Sequence, residues 1–154
     1  PVLAASKKDD GSYNFDGVFE KMRPLFDEAD YVIGNLEFPL AGEDVGFSDS
    51  FYDFNAPQEF AEAAKRAGID LTSTVNNHTL DRGGEGMLNT VRALDAMGFS
   101  NVGVNLPEKE RPEAFYFELD GVKYAVVAYT YTTNKQRSKL KYSRKCCHSN
   151  YCIR

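Results

Sequence analysis

The run Leu71-Thr72-Ser73-Thr74-Val75 ends abruptly in Asn76-Asn77-His78, and Asp81 follows three residues after the histidine. Amide and carboxylate oxygens beside an imidazole are donors that bind divalent cations or handle phosphoryl oxygens. A metal held there would act as a Lewis acid and lower the pKa of a bound water. His78 would protonate a leaving oxygen or steady developing charge. The same residues also suit a polar turn in which the asparagines satisfy backbone groups and the histidine is incidental. A second cluster, Asn35-Leu36-Glu37, carries two oxygen-bearing side chains at i and i+2, on one side of an extended segment. It could hold a cation or a substrate, or simply cap a strand with a solvent-facing glutamate. Two such clusters at strand ends can converge on one pocket in an α/β sheet. Cys146-Cys147-His148 with Cys152 adds soft ligands near the end of the chain. Zinc fits that spacing poorly, because adjacent cysteines cannot easily take two corners of a tetrahedron.

The elements that must position these groups read as alternating helices and strands. Asp16 stands as an N-cap before Val18, Phe19, Met22, Leu25, Phe26 and Ala29 at helical spacing. Residues 30–34 read as a short buried strand that ends in Asn35. Residues 38–56 read as a long loop rich in Gly, Asp, Ser and aromatics, and a loop of that length is more often functional than filler. Pro57 opens a helix to about Ala67, with Phe60, Ala61, Ala64 and Ala67 inward and Gly68 closing it. A second strand, from residue 69 or 70 to 75, delivers Asn76. The helix from about Gly84 to Met97 lines up Met87, Leu88, Val91, Leu94 and Met97, and Gly98 stops it. Residues 101–104 form a third strand and 105–113 a polar loop. Residues 115–119 and 123–129 flank Asp120-Gly121 as a hairpin. Its first arm alternates, as a half-exposed strand does. Its second arm is nearly all apolar, as a strand covered on both faces is.

At 154 residues the chain is one domain by length, and its 42% hydrophobic content supports a globular core. No apolar run approaches the ~20 residues that span a bilayer, and the first ten residues hold no signal-peptide core. The piece therefore reads as soluble, whether or not it was cut from a longer exported or anchored protein. Charge is uneven. Lys135, Arg137, Lys139, Lys141, Arg144, Lys145 and Arg154 face no acid in their stretch, which leaves 11 of the 18 basic residues against all 23 acids elsewhere. Residues 1–133 read as a partial domain, and 134–154 as a basic, cysteine-containing tail outside the fold. With little aromatic interleaving beyond Tyr142 and Tyr151 and no recognised motif, the tail does not read as a nucleic-acid binder.

Tyr13-Asn14-Phe15-Asp16, then Ala29 through Glu37 with Pro39-Leu40, Phe54-Asn55-Ala56-Pro57, and Asn76 through Gly83 with Gly86 are similar to the CapA family of capsule, or poly-γ-glutamate, synthesis proteins. The resemblance runs over about residues 11–132. That family in turn resembles the calcineurin-like metallophosphatases. The resemblance implies an α/β, layered fold: a metallophosphatase-like sandwich of sheets flanked by helices, incomplete in this chain. The family opens with a Gly-Asp motif and carries His-rich motifs downstream, and neither stands in this sequence.

By the same resemblance a divalent metal (Mn, Zn or Fe) is implied, dinuclear in the full-length protein. Asn35, Glu37 and Asn77 would be its ligands, although Asn35 stands where phosphatases have Asp. His78 and Asp81 would be the catalytic pair, with Asp81 shaping the loop or holding His78, and Asn76 and Arg82 would bind substrate. The implied role is making, exporting or anchoring an anionic surface polymer, at the cell surface or anchored outside the cytoplasm. The polymer and membrane synthesis subunits would be its partners. If catalytic, the reaction would be metal-assisted hydrolysis of a phosphoester or amide-type bond. A non-enzymatic polymer-binding subunit and a generic metallophosphoesterase are the alternatives. His78→Ala is expected to remove activity and leave stability nearly unchanged.

Overall fold

The computed structural model of this chain describes residues 2–50, 52–108 and 114–134. Helix α1 (Val2–Ser6) leads to α2 (Asp16–Phe19) and α3 (Arg23–Asp27). The single helix expected after residue 16 is thus split. Pro24 lies in the first turn of α3, where its missing N–H costs nothing, but a helix arriving from α2 would need that donor. Val18, Met22 and Leu25 consequently face solvent, while Phe19 packs on the core. Phe15, not Asp16, stands at the N-cap of α2, and Asp16 pairs with Arg66 at 2.8 Å.

Strand β1 (Ile33–Asn35) is half exposed rather than buried, because it is the edge of its sheet. The expected loop that follows holds more structure than its composition suggests: a 3-10 turn at Glu43–Val45 and a hairpin of β2 (Ser48–Ser50) with β3 (Asp53–Asn55). Buried Asn55 gathers this segment. Its Oδ1 accepts the Ala41 N–H at 2.8 Å, and its Nδ2 donates to Gly42 O at 2.8 Å and Gly46 O at 2.9 Å. One amide thereby satisfies backbone groups that have no ladder partner.

Helix α4 (Gln58–Arg66) starts just past Pro57, which serves as its N-cap. Then come β4 (Leu71–Ser73), α5 (Gly83–Ala96) and β5 (Ser100–Val102). The three strands β1, β4 and β5 pair in parallel in that order. Parallel neighbours need long crossovers, and α4 and α5 supply them. Ala61 and Ala64 of α4 share one core with Ala93 and Leu94 of α5, together with Leu36, Leu40 and Phe99. A second cluster, Val75, Leu80, Met87, Leu88, Val91, Val104 and Leu106, fills the space beneath the end of β4. Each large member of these clusters contributes about 1.5–3 kcal/mol by leaving water. The result is an α/β fold with a parallel sheet flanked by helices, as the sequence suggests.

Strands β6 (Phe115–Leu119) and β7 (Val122–Val126) form the expected hairpin, with Phe115 opposite Val126 and Leu119 opposite Val122. Asp120 and Gly121 both take positive φ, 49° and 77°, the backbone of a type I′ turn. The expectation that the second arm is covered on both faces is not met. Val122 and Tyr124 are exposed, as are Val127, Tyr129 and Tyr131 beyond them. Composition signals that a strand is fit to be covered, but a covering layer must come from elsewhere, and among the described residues none lies over these side chains. Phe117 of the hairpin stacks on Tyr31 with centroids 4.0 Å apart. No helix among the described residues is long and apolar enough to cross a membrane. The Cys146–Cys147–His148–Cys152 cluster lies outside the described residues.

Candidate functional site

The two polar clusters meet where β1 and β4 end. Asn35 is in register with Ser73, and the Leu36 N–H donates to Ser73 O at 2.9 Å, which carries the ladder one residue further. Past that point both chains turn out of the sheet. Thr74 fastens β4 to its other neighbour. Its N–H and hydroxyl both donate to Val102 O, at 3.0 and 3.1 Å, and its Oγ1 accepts the Val104 N–H at 3.1 Å. The fit there is close: Gly103 has φ 114°, and a Cβ on it would fall 2.1 Å from Val75 Cγ2.

Local chemistry then shapes the turn. Asn76 Oδ1 accepts the His78 N–H at 2.9 Å, and Thr79 Oγ1 accepts the Asn76 N–H at 2.8 Å. This is an Asx turn, in which a side chain stands in for backbone. The Asn76 amide also bridges the strands, donating to Leu36 O at 2.8 Å and to Asn35 Oδ1 at 3.2 Å. Asn35 in turn donates its Nδ2 to Glu37. Asn76, expected to bind substrate, is therefore engaged in joining the two clusters.

His78 is buried, and its Nδ1 lies 2.6 Å from Oδ2 of Asp81, whose side chain is fully buried. The same carboxylate oxygen accepts the Phe54 N–H at 2.9 Å. An ionised carboxylate can only accept, so Nδ1 carries a proton, and in the neutral ring the lone pair sits on Nε2. Nε2 faces Glu37 Oε1 at 4.0 Å. That gap is too wide for a direct hydrogen bond. The Phe54 ring lies against the imidazole, with centroids 4.4 Å apart.

Arg82 points elsewhere. Its Nη1 is 2.6 Å from Asp53 Oδ2 and its Nη2 is 3.3 Å from Asp53 O, which ties β3 to the start of α5. Gly86 makes this possible, since a Cβ there would come within 2.4 Å of Arg82 Cβ. Asn77 reaches the far end of the described chain. Its main-chain O accepts the Asn134 N–H at 2.8 Å, and its Nδ2 lies 3.4 Å from Asn134 Oδ1.

The structure thus brings Asn35, Glu37, Asn76, Asn77, His78 and Asp81 together and turns Arg82 toward Asp53. Sequence reasoning did not mark Phe54, Thr74 or Asn134 as site residues. Phe54 and Thr74 act largely through backbone groups and packing, which leave no compositional signature. Asn134 falls at the head of a basic stretch that gave no reason to place it in the fold.

Glu37 Oε1 and the amide oxygens of Asn35 and Asn77 are of the donor type that would hold one Mn, Zn or Fe ion. The Asn77 amide nitrogen is turned to Asn134 at 3.4 Å. Among the described residues no three His, Cys, Asp or Glu are grouped so as to hold an ion by themselves, so amide oxygens would have to complete the set. A larger cavity of about 600 Å³ lies between the outer edge of β5 and the start of β6, lined by Phe99, Asn101 and Ala114 among others. Among the described residues its lining holds one carboxylate, Asp95.

Comparison with known proteins shows the family. The family described as bacterial capsule synthesis protein PGA_cap matches residues 2–150. The capsule biosynthesis protein CapA of Bacillus anthracis is 31% identical over 121 residues, 77% of this chain and 29% of that protein. The PGA biosynthesis protein CapA of Bacillus subtilis (strain 168) is 25% identical over 122 residues, 78% of this chain and 32% of that protein. The chain spans about a third of the length of these curated relatives. It belongs to the bacterial capsule synthesis protein family PGA_cap.

Proposed function

We propose that this chain carries the strand-end centre of a CapA-type protein, and that the centre performs metal-assisted hydrolysis on an anionic surface polymer of the poly-γ-glutamate kind. The observation that carries this reading is the dyad of His78 and buried Asp81, with Nε2 aimed at Glu37 across 4.0 Å. Asp81 fixes the tautomer and the ring orientation, and would stabilise an imidazolium formed during reaction. His78 Nε2, which carries the lone pair, would take a proton from the attacking water and then deliver it to the leaving atom. Glu37, Asn35 and Asn77 would hold a divalent cation, whose chemistry is to polarise the scissile group as a Lewis acid. The names of the relatives support the polymer, and through it a place at the cell surface among membrane synthesis subunits.

The test is metal stoichiometry after Mn²⁺ or Zn²⁺ loading and desalting, with Cys146, Cys147 and Cys152 replaced by Ser so that they contribute nothing. Metal kept by this background and lost on adding Asn77→Ala and His78→Ala supports the reading. Turnover of a chromogenic phosphodiester that EDTA stops would identify the class of bond. No metal in either protein would sink the hydrolytic reading.

One observation favours a binding role instead. The amides of Asn35, Asn76, Asn77 and Asn134 are interlinked with Glu37 and His78. Amides donate and accept at once, as the backbone of a polyglutamate does. Calorimetric binding of a γ-glutamyl oligomer without cleavage would favour an accessory subunit.

A further inference from the structure

We infer that Asn134 is a positioning residue of the His78 centre, and that residues 130–134 form the strap that carries it there. The inference deepens the proposed function and rests on His78 being the reactive group. Its geometric basis is independent of that role. Asn134 Nδ2 lies 3.3 Å from both ring nitrogens of His78. A group that close to both cannot lie in the ring plane, because Cε1 stands between them, so the amide stands over the ring. It therefore does not compete with Asp81, which already holds Nδ1 at 2.6 Å. The imidazole is restrained by a carboxylate at one nitrogen, by the Phe54 ring at 4.4 Å and by this amide.

The strap is anchored where it matters. The Asn134 N–H donates to the Asn77 carbonyl at 2.8 Å, and Asn134 Oδ1 faces the Asn77 amide nitrogen at 3.4 Å. The second contact sets which way the Asn77 amide points and leaves its oxygen facing away from the strap. One side chain thus orients two site groups, His78 and Asn77. Upstream, Thr130 Oγ1 donates to Thr132 O at 2.8 Å, which bends the strap by a contact within itself.

Asn134 is exposed, and any residue but proline keeps its backbone bond to Asn77, so a side-chain substitution there leaves the fold standing. The chain has only two histidines, His78 and His148, so the imidazole Cε1–Hε1 NMR signals are readily assigned. The experiment records these signals on the full chain, free of metal, for wild type, Asn134→Ala and Thr132→Ala, with melting temperatures measured alongside. The expected result is a shift and broadening of the His78 signal in Asn134→Ala, with His148 unmoved, the melting temperature held and Thr132→Ala silent. An unmoved His78 signal in Asn134→Ala would overturn the inference, and so would an equal shift in Thr132→Ala. Mn²⁺ titration of the same proteins is expected to show affinity lowered about tenfold in Asn134→Ala, the usual size for a residue that orients ligands. Failure of wild type to bind Mn²⁺ would count against hydrolysis, while the metal-free signals would still decide the role of Asn134.

Discussion

Two turns in this molecule each follow a strand, and they are held by different means. The turn at Asp120-Gly121 is made locally: two residues with positive φ join β6 to β7, and the register follows. The turn at Asn76–Thr79 has local bonds of its own, in its Asx turn, and is also held from a distance. Leu36, Val102, Phe54 and Asn134 each bond to it or to the residues flanking it. The first turn leads into a strand whose apolar side chains face water. The second closes over buried side chains and places an imidazole. Local chemistry is enough to make a hairpin, whereas aiming a reactive nitrogen takes contacts drawn from most of the fold.

The comparison breaks most easily at Asp81. Asp81→Ala takes the acceptor from the Phe54 N–H and from His78 Nδ1, both in a buried setting. Each charge-assisted bond is worth about 1.5–3 kcal/mol, so a loss of about 3–5 kcal/mol is expected. In the other turn Asp120→Ala costs about 1 kcal/mol, the strain of an alanine at positive φ. Urea unfolding of the two variants checks the ratio. Equal midpoints would show that the site turn is as locally determined as the hairpin.

Gly103 tests the same point without touching any polar group of the site. Gly103→Ala must move Val75, the residue just before the turn, since the added Cβ would sit 2.1 Å from it. A cost of about 2–3 kcal/mol is expected from overpacking on a backbone with positive φ. If the turn is built by its surroundings, the His78 NMR signal shifts as well. A destabilised protein with that signal unmoved would show that the turn holds itself.

His78 itself ranks next, and here burial revises an expectation drawn from sequence. A histidine assigned only to catalysis is expected to leave with little cost in stability. This one is buried between Phe54 and Asp81. His78→Ala would leave a buried carboxylate short of a donor, so a loss of about 2 kcal/mol is expected. His78→Asn should recover part of it, because its amide nitrogen falls near the place of Nδ1, yet it offers nothing at Nε2. Stability that returns while turnover stays lost would separate the two nitrogens. Failure of Asn to recover any stability would mean that packing on Phe54, rather than the bond to Asp81, holds the ring.

The pattern of legibility has the same physical origin. The parallel order of helices and strands, the hairpin and the residues of both polar clusters follow from periodicity and turn chemistry, which are local properties. The split at Pro24 was also open to local reading, but the apolar spacing of Val18, Met22 and Leu25 outweighed it, and those side chains proved exposed. The β2–β3 hairpin was not legible, because what gathers its approach is a single buried amide, Asn55, with partners 9 to 14 residues away. Nor were Phe54 and Asn134, which meet His78 from 24 and 56 positions along the chain. Residue types announce which chemistry is available, and long-range contacts decide where it points.

The smallest effect concerns the hairpin's hold on the body. Tyr31 stacks on Phe117 with planes 7° apart, and its phenol titrates above its ordinary 10.0 because burial, and then the charge of Asp70, disfavour the phenolate. A pKa raised by folding means that the folded chain keeps its proton longer than the unfolded one. The stability tied to that proton is fully present below pH ~10 and is lost as pH rises through the folded value. Tyr31→Phe keeps the ring stack and removes the titration, so its alkaline unfolding should be shallower than that of wild type. Tyr31→Ala removes the stack, worth about 0.5–1.5 kcal/mol, and should loosen the hairpin as a unit. Hydrogen exchange at β6 and β7 reads this directly. Faster exchange there, with β4 unchanged, would confirm that the hairpin is fastened to the body by Tyr31, whereas the site turn is held from every side.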